Sequence, residues 1–533
     1  MQADVIVVGA GAGGCAVAAR LAAARPDRTV VLVETGPAGP SLLCRIPLGI
    51  AALVGRKSAR NSAFDTVPQP GLGGRKGFQP RGRGVGGSTL INAMICIRGQ
   101  REDYDGWKAE GCDGWGWDDV LPFFRKLEDH AGGDSEWHGA GGPLRVENLR
   151  ERNPVTERFI QAGLEAGFPA CDDFNGATQD GIGRFQVFHD RGVRRDAGTA
   201  YLSGARTRLP NLRILSGAMV SRIRFRDGRA IGITVQRDAT TEVIDAGCEI
   251  VLAAGAFGTP QLLLASGIGD ANALRSLGIP VLADRKEVGR NLQDHLDYTI
   301  NMRCGAEGLF GIDLRTARRL PGGFLRWMRH GRGMLTSNVA EAGGFLRASE
   351  TAERPDVQLH FCIGLVDDHN RRPRLGPGYS IHVCALRPHS RGTVRIASSN
   401  LRAAPVIDPG FLSDSRDLET LVAGTRLAER IIDAPALAAL GGRPAYGEKN
   451  QDDDALRALI RQRTDTIYHP VGTCRMGADE AAVVDPRLRV RGVRGLRIAD
   501  ASIMPRLISG NTQTPTVMIG EKAAAMILED TAN

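Results

Sequence analysis

Two polar residues in the C-terminal region have side chains suited to taking the proton of a hydroxyl group and binding its oxygen. His469 lies in the loop Ile467-Tyr-His-Pro-Val-Gly-Thr473, and Asn511 lies in Ser509-Gly-Asn-Thr-Gln-Thr-Pro515. With an unperturbed pKa of about 6.5, a histidine is largely neutral near pH 7 and can accept a proton from a hydroxyl group. An asparagine can donate an amide N–H to an oxygen without adding a competing acid. A histidine is more often packed or solvated than catalytic, so both roles depend on what else the chain binds.

A third polar residue of this region, Asp500, follows a short apolar run. Leu496 to Ala499 is typical of a buried strand, and Asp500 and Ala501 come directly after it. Ligands of open α/β sheets bind outside the carboxyl ends of the strands. We therefore expect Asp500 and Ala501 to lie at a ligand site.

The elements that must position these residues begin within residues 4–34. The apolar run Val5–Val8 precedes a Gly-x-Gly-x-x-Gly turn, an alanine-rich segment closed by Arg25-Pro26, and a second apolar run that ends at Glu34. Strand, glycine turn, helix and strand together predict a βαβ unit that binds a dinucleotide. The glycine pattern alone would be weak evidence, because an ordinary glycine-rich turn can match it.

Each glycine of this turn has a physical task. Gly9 permits the tight turn out of the strand, Gly11 leaves room for a pyrophosphate, and Gly14 lets the helix lie close to the sheet. Glu34 comes twenty residues after Gly14, where a carboxylate can accept both ribose hydroxyls of an adenosine. The same carboxylate would repel a 2′-phosphate, which argues against NADP.

The composition limits the class of protein. The chain has 533 residues, of which 42% are hydrophobic and 24% are charged, as in soluble globular proteins of two or three domains. The formal net charge of +8 comes mostly from arginines that are scattered along the chain. A solvated basic surface explains this charge better than nucleic-acid binding, because no nucleic-acid motif accompanies it.

Cysteine usage and apolar runs bear on the compartment. The ten cysteines include no Cys-x-x-Cys and no paired Cys/His spacing, so we expect reduced thiols and no metal site. The first strand begins at Asp4, which leaves no room for a signal peptide, and no apolar run is long enough to cross a bilayer. We expect a cytoplasmic protein that is at most peripheral to a membrane.

Two segments, Ile46–Val54 and Phe310–Arg332, could touch a membrane surface. A loop or short helix over the cofactor explains the first more simply, and an exposed helix explains the second.

A second glycine-rich turn carries the family resemblance. The segment Arg83-Gly-Val-Gly-Gly-Ser-Thr-Leu-Ile-Asn92 is suited to a phosphate, although its composition alone would also fit a flexible loop. It resembles the first signature of the glucose–methanol–choline (GMC) flavoenzyme oxidoreductases. The N-terminal turn, the segments 255–269 and 288–295, and the C-terminal block agree with the same family. The resemblance covers essentially the whole chain, with the motifs in the expected order.

The resemblance implies an FAD-dependent alcohol oxidation. His469 would accept the hydroxyl proton while hydride leaves for the flavin N5, and Asn511 would orient the substrate oxygen, since the family uses either His or Asn there. Some members attach FAD covalently through a histidine one residue before the motif asparagine, and here that position is Ile91, so we expect non-covalent FAD. The implied cofactor contacts, beyond the N-terminal turn and Glu34, are Arg83, Gly86, Gly87, Ser88, Asn92, Val220 (through its backbone, near the adenine), Ala254, Asp500 (on the flavin side, through backbone or ribityl contacts) and Ala501.

The same patterns predict an α/β fold with two domains. A Rossmann-like FAD-binding domain with a parallel sheet and a β-meander would comprise residues 1–149, 191–295 and 461–533. The alternation in residues 220–235 around Asp227-Gly228 predicts a hairpin of that meander. Residues 150–190 and 296–460 would form an α+β substrate-binding cap with an antiparallel sheet, because 357–361 and 380–384 have strand patterns.

Substrate and electron acceptor are less constrained. The chain resembles the choline dehydrogenase-like and alcohol dehydrogenase (acceptor) branch of the family, which implies an acceptor other than oxygen, such as a quinone-like carrier. We expect the substrate to be a primary alcohol. An oxygen-using oxidase and a choline-type dehydrogenase remain open, as do an FAD-containing hydroxynitrile lyase and a basic peripheral binding protein. Glu341 could face a quaternary ammonium, but it could equally be a structural carboxylate, and aromatic residues, which such ligands prefer, form only 5% of the chain.

Overall fold

The computed structural model describes residues 1–349, 351–449 and 451–532. A seven-stranded sheet, here called the first sheet, contains the N-terminal strand at its centre. Gln2–Val8 pairs in parallel with Val30–Glu34 and with Thr240–Leu252. The strands in spatial order are Leu212–Ser216, Val30–Glu34, Gln2–Val8, Thr240–Leu252, Arg229–Arg237 and Met219–Arg226, with Leu496–Ile498 beside Thr240–Leu252. The predicted βαβ unit and meander are therefore confirmed.

The residues of this sheet explain its burial and its turns. Val5, Ile6, Val7 and Val8 are all buried, as expected for a parallel strand that is covered on both faces. The helix Ala12–Ala24 covers one face and packs against the helix Gln513–Ala532. The predicted hairpin turns at Asp227-Gly228, where both residues have positive φ, at 50° and 70°.

An eight-stranded antiparallel sheet, here called the second sheet, matches the predicted cap sheet. Its strands alternate apolar and polar residues, as in Val357-Gln-Leu-His-Phe-Cys362. The apolar face packs against the helices Ser415–Asp433 and Pro154–Glu165, and the polar face is buried as well. The strands in spatial order are Arg443–Pro444, Leu296–Arg303, Gly376–Ala385, Val357–Cys362, Ala340–Leu346 and Gly181–Arg184, with Asp465–Thr466 beside Leu296–Arg303 and Gly311–Ile312 beside Gly376–Ala385.

Smaller sheets and helices surround these two sheets. The small sheets comprise Phe64–Gln69 with Arg75–Gln79, Ile268–Gly269 with Ala283–Asp284, Thr393–Arg395 with Val406–Asp408, and Glu128–His130, Leu144–Asn148, Gln186–Asp190 and Val193–Arg194. The other α-helices are Leu42–Arg45, Ile50–Leu53, Arg101–Ala109, Trp117–Leu127, Ala197–Leu202, Ala205–Arg208, Gly255–Ala265, Ala271–Ser276, Leu314–His330, Pro435–Ala438 and Asp453–Arg463. Short 3-10 helices span Pro47–Gly49, Pro70–Leu72, Gly87–Leu90, Met334–Thr336, Asp368–Asn370 and Ala501–Ile503.

Two apolar cores follow the two sheets. The larger one joins the first sheet to Trp107, Phe124 and the C-terminal helix, and the second lies between the second sheet and Ser415–Asp433. The domain boundaries stay a prediction. The helix Leu314–His330 is largely exposed and buries only Trp327. Within the described ranges, every helix is too short or too polar to span a lipid bilayer.

Candidate active site

One large cavity brings the predicted site residues together. It has a volume of about 1110 Å³ and extends from Gly11 and Glu34 to His469 and Asn511, bounded also by the second sheet. The predicted residues in its wall are Gly9, Gly11, Glu34, Arg83, Gly87, Ser88, Asn92, Val220, Ala254, His469, Asp500, Ala501 and Asn511. Gly14 and Gly86 lie outside this wall.

The glycines at the N-terminal end of the cavity differ in what surrounds them. A Cβ atom on Gly11 would approach only the Ala253 carbonyl oxygen, at 3.8 Å, so the space beside Gly11 is open. A Cβ atom on Gly14 would collide with the Gly9 carbonyl, which fits its predicted packing task. Gly86 has a φ of 121° and donates its N–H to the Ala10 oxygen at 2.8 Å. It therefore joins the two glycine turns instead of forming the cavity wall.

Glu34 connects the same two turns. Its Oε2 accepts the Ala10 N–H at 3.0 Å, and its Oε1 accepts the N–H groups of Gly36 at 2.7 Å and Gly84 at 3.0 Å. Burial raises the pKa of Glu34, and the three backbone N–H groups oppose this shift. Since a carboxylate oxygen has two lone pairs, Oε2 retains one acceptor site toward the cavity.

The Asp500 side chain is engaged by the protein. Its Oδ2 accepts the Gly255 N–H at 2.8 Å and the Thr259 hydroxyl at 2.6 Å, and its Oδ1 accepts the Ser502 N–H at 2.8 Å. The carboxylate therefore holds the start of the helix Gly255–Ala265 at the end of the Leu496–Ile498 strand. Because protein groups occupy both carboxylate oxygens, a ligand here would contact the backbone of Asp500 and Ala501.

The second glycine turn is similarly fixed by internal contacts. The Ser88 hydroxyl accepts the Gly82 N–H at 3.1 Å. Asn92 donates to the Gln513 side chain and accepts from Arg194 at 2.9 Å. Ile91 lines the cavity and packs in a small apolar cluster with Cys44, Leu53 and Leu90.

A strained backbone directs His469 into the cavity. Tyr468 has a φ of 78°, which non-glycine residues rarely adopt. Its carbonyl accepts from Arg81 at 2.9 Å and its N–H donates to the Thr466 hydroxyl at 2.6 Å. The His469 N–H donates to Asp294 Oδ1 at 2.9 Å. These bonds hold the conformation that turns the His469 ring inward.

A second histidine, His295, fixes the proton on His469. His295 Nε2 lies 3.1 Å from the Leu386 carbonyl, and His295 Nδ1 lies 2.9 Å from His469 Nδ1. Burial lowers the pKa of His295 to about 4, so it is neutral near pH 7 and has one N–H, which the carbonyl requires at Nε2. His295 Nδ1 is then an acceptor, and His469 must carry its N–H on Nδ1.

His469 consequently carries no proton on Nε2, and the lone pair of this atom can accept one. Burial is the main cause that holds the pKa of His469 well below its usual value, and the neighbouring His295 and His360 act in the same direction. The His469 ring is therefore neutral. Asn511 Nδ2 donates to His469 Nε2 at 3.2 Å, and Asn511 Oδ1 accepts from Gln358 Nε2 at 3.1 Å. The Gln358 contact fixes the orientation of the Asn511 amide, whose second N–H remains for another oxygen. The arrangement can accept a proton and bind the oxygen that releases it.

The polar face of the second sheet forms the wall near His469. His360 and His382 pair across neighbouring strands, and Cys362 lies on the same face. Burial and the neighbouring His382 lower the pKa of His360 to about 3. His382 contacts Asp297 on the next strand, with Nδ1 and Oδ2 2.6 Å apart.

Sequence reasoning missed several of these residues. His295 lies in a family motif that gives it no role, and the sequence indicates Gln358, His360 and His382 only as parts of strands. The alternation of polar and apolar residues was the available signal, because both faces of these strands proved to be buried. Glu341, in contrast, does not line the main cavity, and its carboxylate accepts hydroxyl groups from Ser337 at 2.6 Å and Thr156 at 2.7 Å.

Comparison with known proteins supplies the family. A family model described as GMC oxidoreductase matches residues 3–297, and a C-terminal model with the same description matches residues 388–520. The chain belongs to the GMC oxidoreductase family. The predicted resemblance is confirmed.

Three relatives of this GMC oxidoreductase cover nearly all of it. It is 44% identical to an alcohol dehydrogenase [acceptor] of Pseudomonas putida, over 98% of this chain and 95% of the relative. It is 39% identical to the mitochondrial choline dehydrogenase of Homo sapiens, over 98% of this chain and 89% of the relative. The crystal structure of pyridoxine 4-oxidase from Mesorbium loti superposes with a TM-score of 0.87 at 31% identity, covering 98% of each chain.

This GMC oxidoreductase is an FAD-dependent enzyme that acts on CH–OH groups. The cavity suits FAD, because Gly11 opens onto it beside Ala12 and Gly13 of the first helical turn. The N–H groups of a first helical turn have no partner within the helix and attract phosphate. The opposite end of the same cavity reaches His469 and Asn511.

Proposed function

We propose that the enzyme oxidises a primary alcohol to the aldehyde and passes the electrons to an acceptor other than oxygen. The observation that carries this proposal is the hydrogen-bonded series from the Leu386 carbonyl through His295 to His469, which leaves His469 Nε2 unprotonated and hydrogen-bonded to the Asn511 amide. A base and an oxygen-binding donor then meet at one point of the cofactor cavity.

The chain's own residues divide the work of this reaction. The substrate hydroxyl would replace the Asn511 N–H at the single lone pair of His469 Nε2, which takes the hydroxyl proton. The Asn511 amide N–H groups would then bind the substrate oxygen and stabilise its developing negative charge. Gln358 and His295 hold these two groups in the required orientation. Bound FAD would supply the hydride acceptor for the carbon-bound hydrogen.

The cofactor would be held by the two glycine turns and by the segment around Asp500. Gly11 and the first helical turn would contact the pyrophosphate, Glu34 Oε2 a ribose hydroxyl, and the Val220 backbone the adenine. The backbone of Asp500 and Ala501 would lie on the flavin side, and Arg83, Ser88 and Asn92 would complete the wall. We propose non-covalent attachment, because Ile91 has no nucleophilic atom.

The acceptor is proposed from similarity. The relative from Pseudomonas putida is named for an acceptor, and this supports a carrier such as a quinone.

The proposal is tested by anaerobic stopped-flow mixing of the purified enzyme with a series of primary alcohols. Loss of the oxidised flavin absorbance is expected, followed by faster reoxidation with a quinone analogue than with air. If none of the alcohols reduces the flavin, the proposed alcohol oxidation is wrong. If air reoxidises the flavin as fast as the quinone analogue or faster, the proposed acceptor is wrong. The variant His469→Ala, with normal FAD content, should be reduced far more slowly.

A further inference from the structure

The Asp297 carboxylate lies on the second sheet, close to the substrate end of the main cavity. Its Oδ2 is 2.6 Å from His382 Nδ1 and accepts the Thr299 hydroxyl at 3.2 Å. The Cys384 thiol lies 3.5 Å from its Oδ1. Protein groups therefore engage both carboxylate oxygens.

His382 lies between this carboxylate and the cavity. The His382 side chain is part of the cavity wall, whereas Asp297 is not. Burial works against a charged His382, but the Asp297 carboxylate raises the pKa of His382 well above its usual value. A ligand in the cavity consequently meets the protonated imidazole before it meets the carboxylate.

Other carboxylates near this end are also unavailable to a ligand. Glu341 faces a separate cavity of about 170 Å³. Asp294 accepts from Gln79, Thr466 and His469, and Asp465 contacts His369 at 3.1 Å. Neither Asp294 nor Asp465 belongs to the main cavity wall.

Some carboxylates do line the main cavity, but they serve other parts of it. They are Glu34, Asp65, Asp238 and Asp500. In the part of the chain that the structure describes, none of them forms a hydrogen bond or an ion pair with His469, Asn511, His360 or His382. Among the described residues, the side chains of His469 and Asn511 thus form hydrogen bonds with imidazole and amide groups and with no carboxylate.

The neighbouring His360 offers an uncharged contact. Its Nε2 atom is buried and has no hydrogen-bond partner among the described residues. The ring is neutral, since burial and His382 lower its pKa to about 3. A neutral imidazole can serve a hydroxyl or carbonyl group of a ligand, but it gives no compensation for a positive charge.

We infer that His382 is a specificity-determining residue, which covers Asp297 and makes the substrate pocket select uncharged alcohols over quaternary ammonium alcohols. This inference rests on the proposed function and adds a substrate class to it. A trimethylammonium group would be placed against the like charge of His382, and the Asp297 carboxylate would lie behind that imidazole. The enzyme would therefore differ from its choline dehydrogenase relatives in substrate charge.

A matched pair of substrates tests the charge alone. Choline and its uncharged carbon isostere, in which a quaternary carbon replaces the nitrogen, have nearly the same shape. The quantity to measure is kcat/KM for flavin reduction by each alcohol, and the readout is their ratio. We expect the wild-type enzyme to favour the uncharged alcohol by at least about tenfold, a difference of about 1.4 kcal/mol.

The variants then identify the residues responsible. His382→Ala should uncover Asp297 and shift the ratio toward choline by about tenfold or more. The double variant His382→Ala with Asp297→Asn is the matched control, and its ratio should return to the wild-type side. If His382→Ala fails to bind FAD, His382→Gln keeps most of the volume, removes the charge and should shift the ratio in the same direction.

The outcomes separate this inference from the proposed function. Reduction by neither alcohol, nor by simple primary alcohols, would contradict the proposed function itself. Reduction by both with a wild-type preference for choline would overturn the specificity inference alone. An unchanged ratio in both His382 variants, or a shift that persists in the double variant, would also overturn it.

Discussion

The variant His295→Leu tests how the proton on His469 is fixed. Leucine fills much of the same volume but removes the nitrogen that accepts from His469 Nδ1 at 2.9 Å. The His469 N–H would then lack a buried partner, and the competing form with the proton on Nε2 would become populated. In that form His469 cannot accept the hydroxyl proton of the substrate.

The expected magnitude follows from the contact that is lost. A buried N–H without a partner costs about 1–3 kcal/mol. Because about 1.4 kcal/mol corresponds to a tenfold change in rate, we expect the rate constant of flavin reduction to fall by about 5- to 150-fold. Substrate affinity should change less, because His295 does not line the cavity.

The assay is anaerobic stopped-flow reduction by a saturating primary alcohol, with FAD content and thermal stability measured for each variant. His295→Asn is the matched control, since its Oδ1 can occupy the place of Nδ1 and still accept from His469. This variant should lose less activity than His295→Leu. Wild-type reduction by the leucine variant would refute the reasoning, and equal losses in both variants would indicate a packing effect instead.

Further predictions concern the cofactor, the reacting groups and pH. Acid denaturation should release all of the flavin, and colour left on the polypeptide would contradict the non-covalent attachment proposed from Ile91. His469→Ala should slow flavin reduction by about 10² or more, and near-normal reduction would remove it as the base. Asn511→Ala should impair reduction while FAD stays bound, as the flavin-to-protein absorbance ratio will show. Burial opposes the charged form of His138, but bonds to Asp173 and Glu128 raise its pKa to about 9, against about 6.5 when unfolded. Its stabilising contribution is therefore complete below about pH 6.5 and is lost as the pH rises through 9, so the difference in melting temperature between wild type and His138→Gln should shrink over that range; a constant difference would contradict it.

The sequence predicted the features that depend on neighbouring residues. The turn at Gly9, the hairpin at Asp227-Gly228 and the position of Glu34 all follow from local patterns, and the structure contains each of them. His469 and Asn511 came from short motifs, and the structure brings them to 3.2 Å although 42 residues separate them. Their roles stay predictions.

The features that sequence reasoning missed depend on the pairing of strands that are far apart in the sequence. The alternation of apolar and polar residues along 357–362 indicates a strand with one polar face, but it does not show that this polar face is buried. The register that sets His360 beside His382 joins separate strands, and no short motif encodes it. For Glu341 the sequence leaves a substrate contact and a structural carboxylate open, and its hydrogen bonds with Ser337 and Thr156 favour the structural one.

The three N–H groups that Glu34 accepts have a consequence for protein engineering. The Glu34 carboxylate hydrogen-bonds to both glycine turns, so the two turns are held together without a ligand. Binding of the cofactor should therefore cost little conformational entropy in these turns. Replacing this acid with a neutral or basic residue is a natural first step toward accepting phosphorylated nucleotides. In this enzyme the substitution would also remove the hydrogen bonds that hold the two glycine turns together. It should therefore weaken binding of any nucleotide, whatever its effect on cofactor preference.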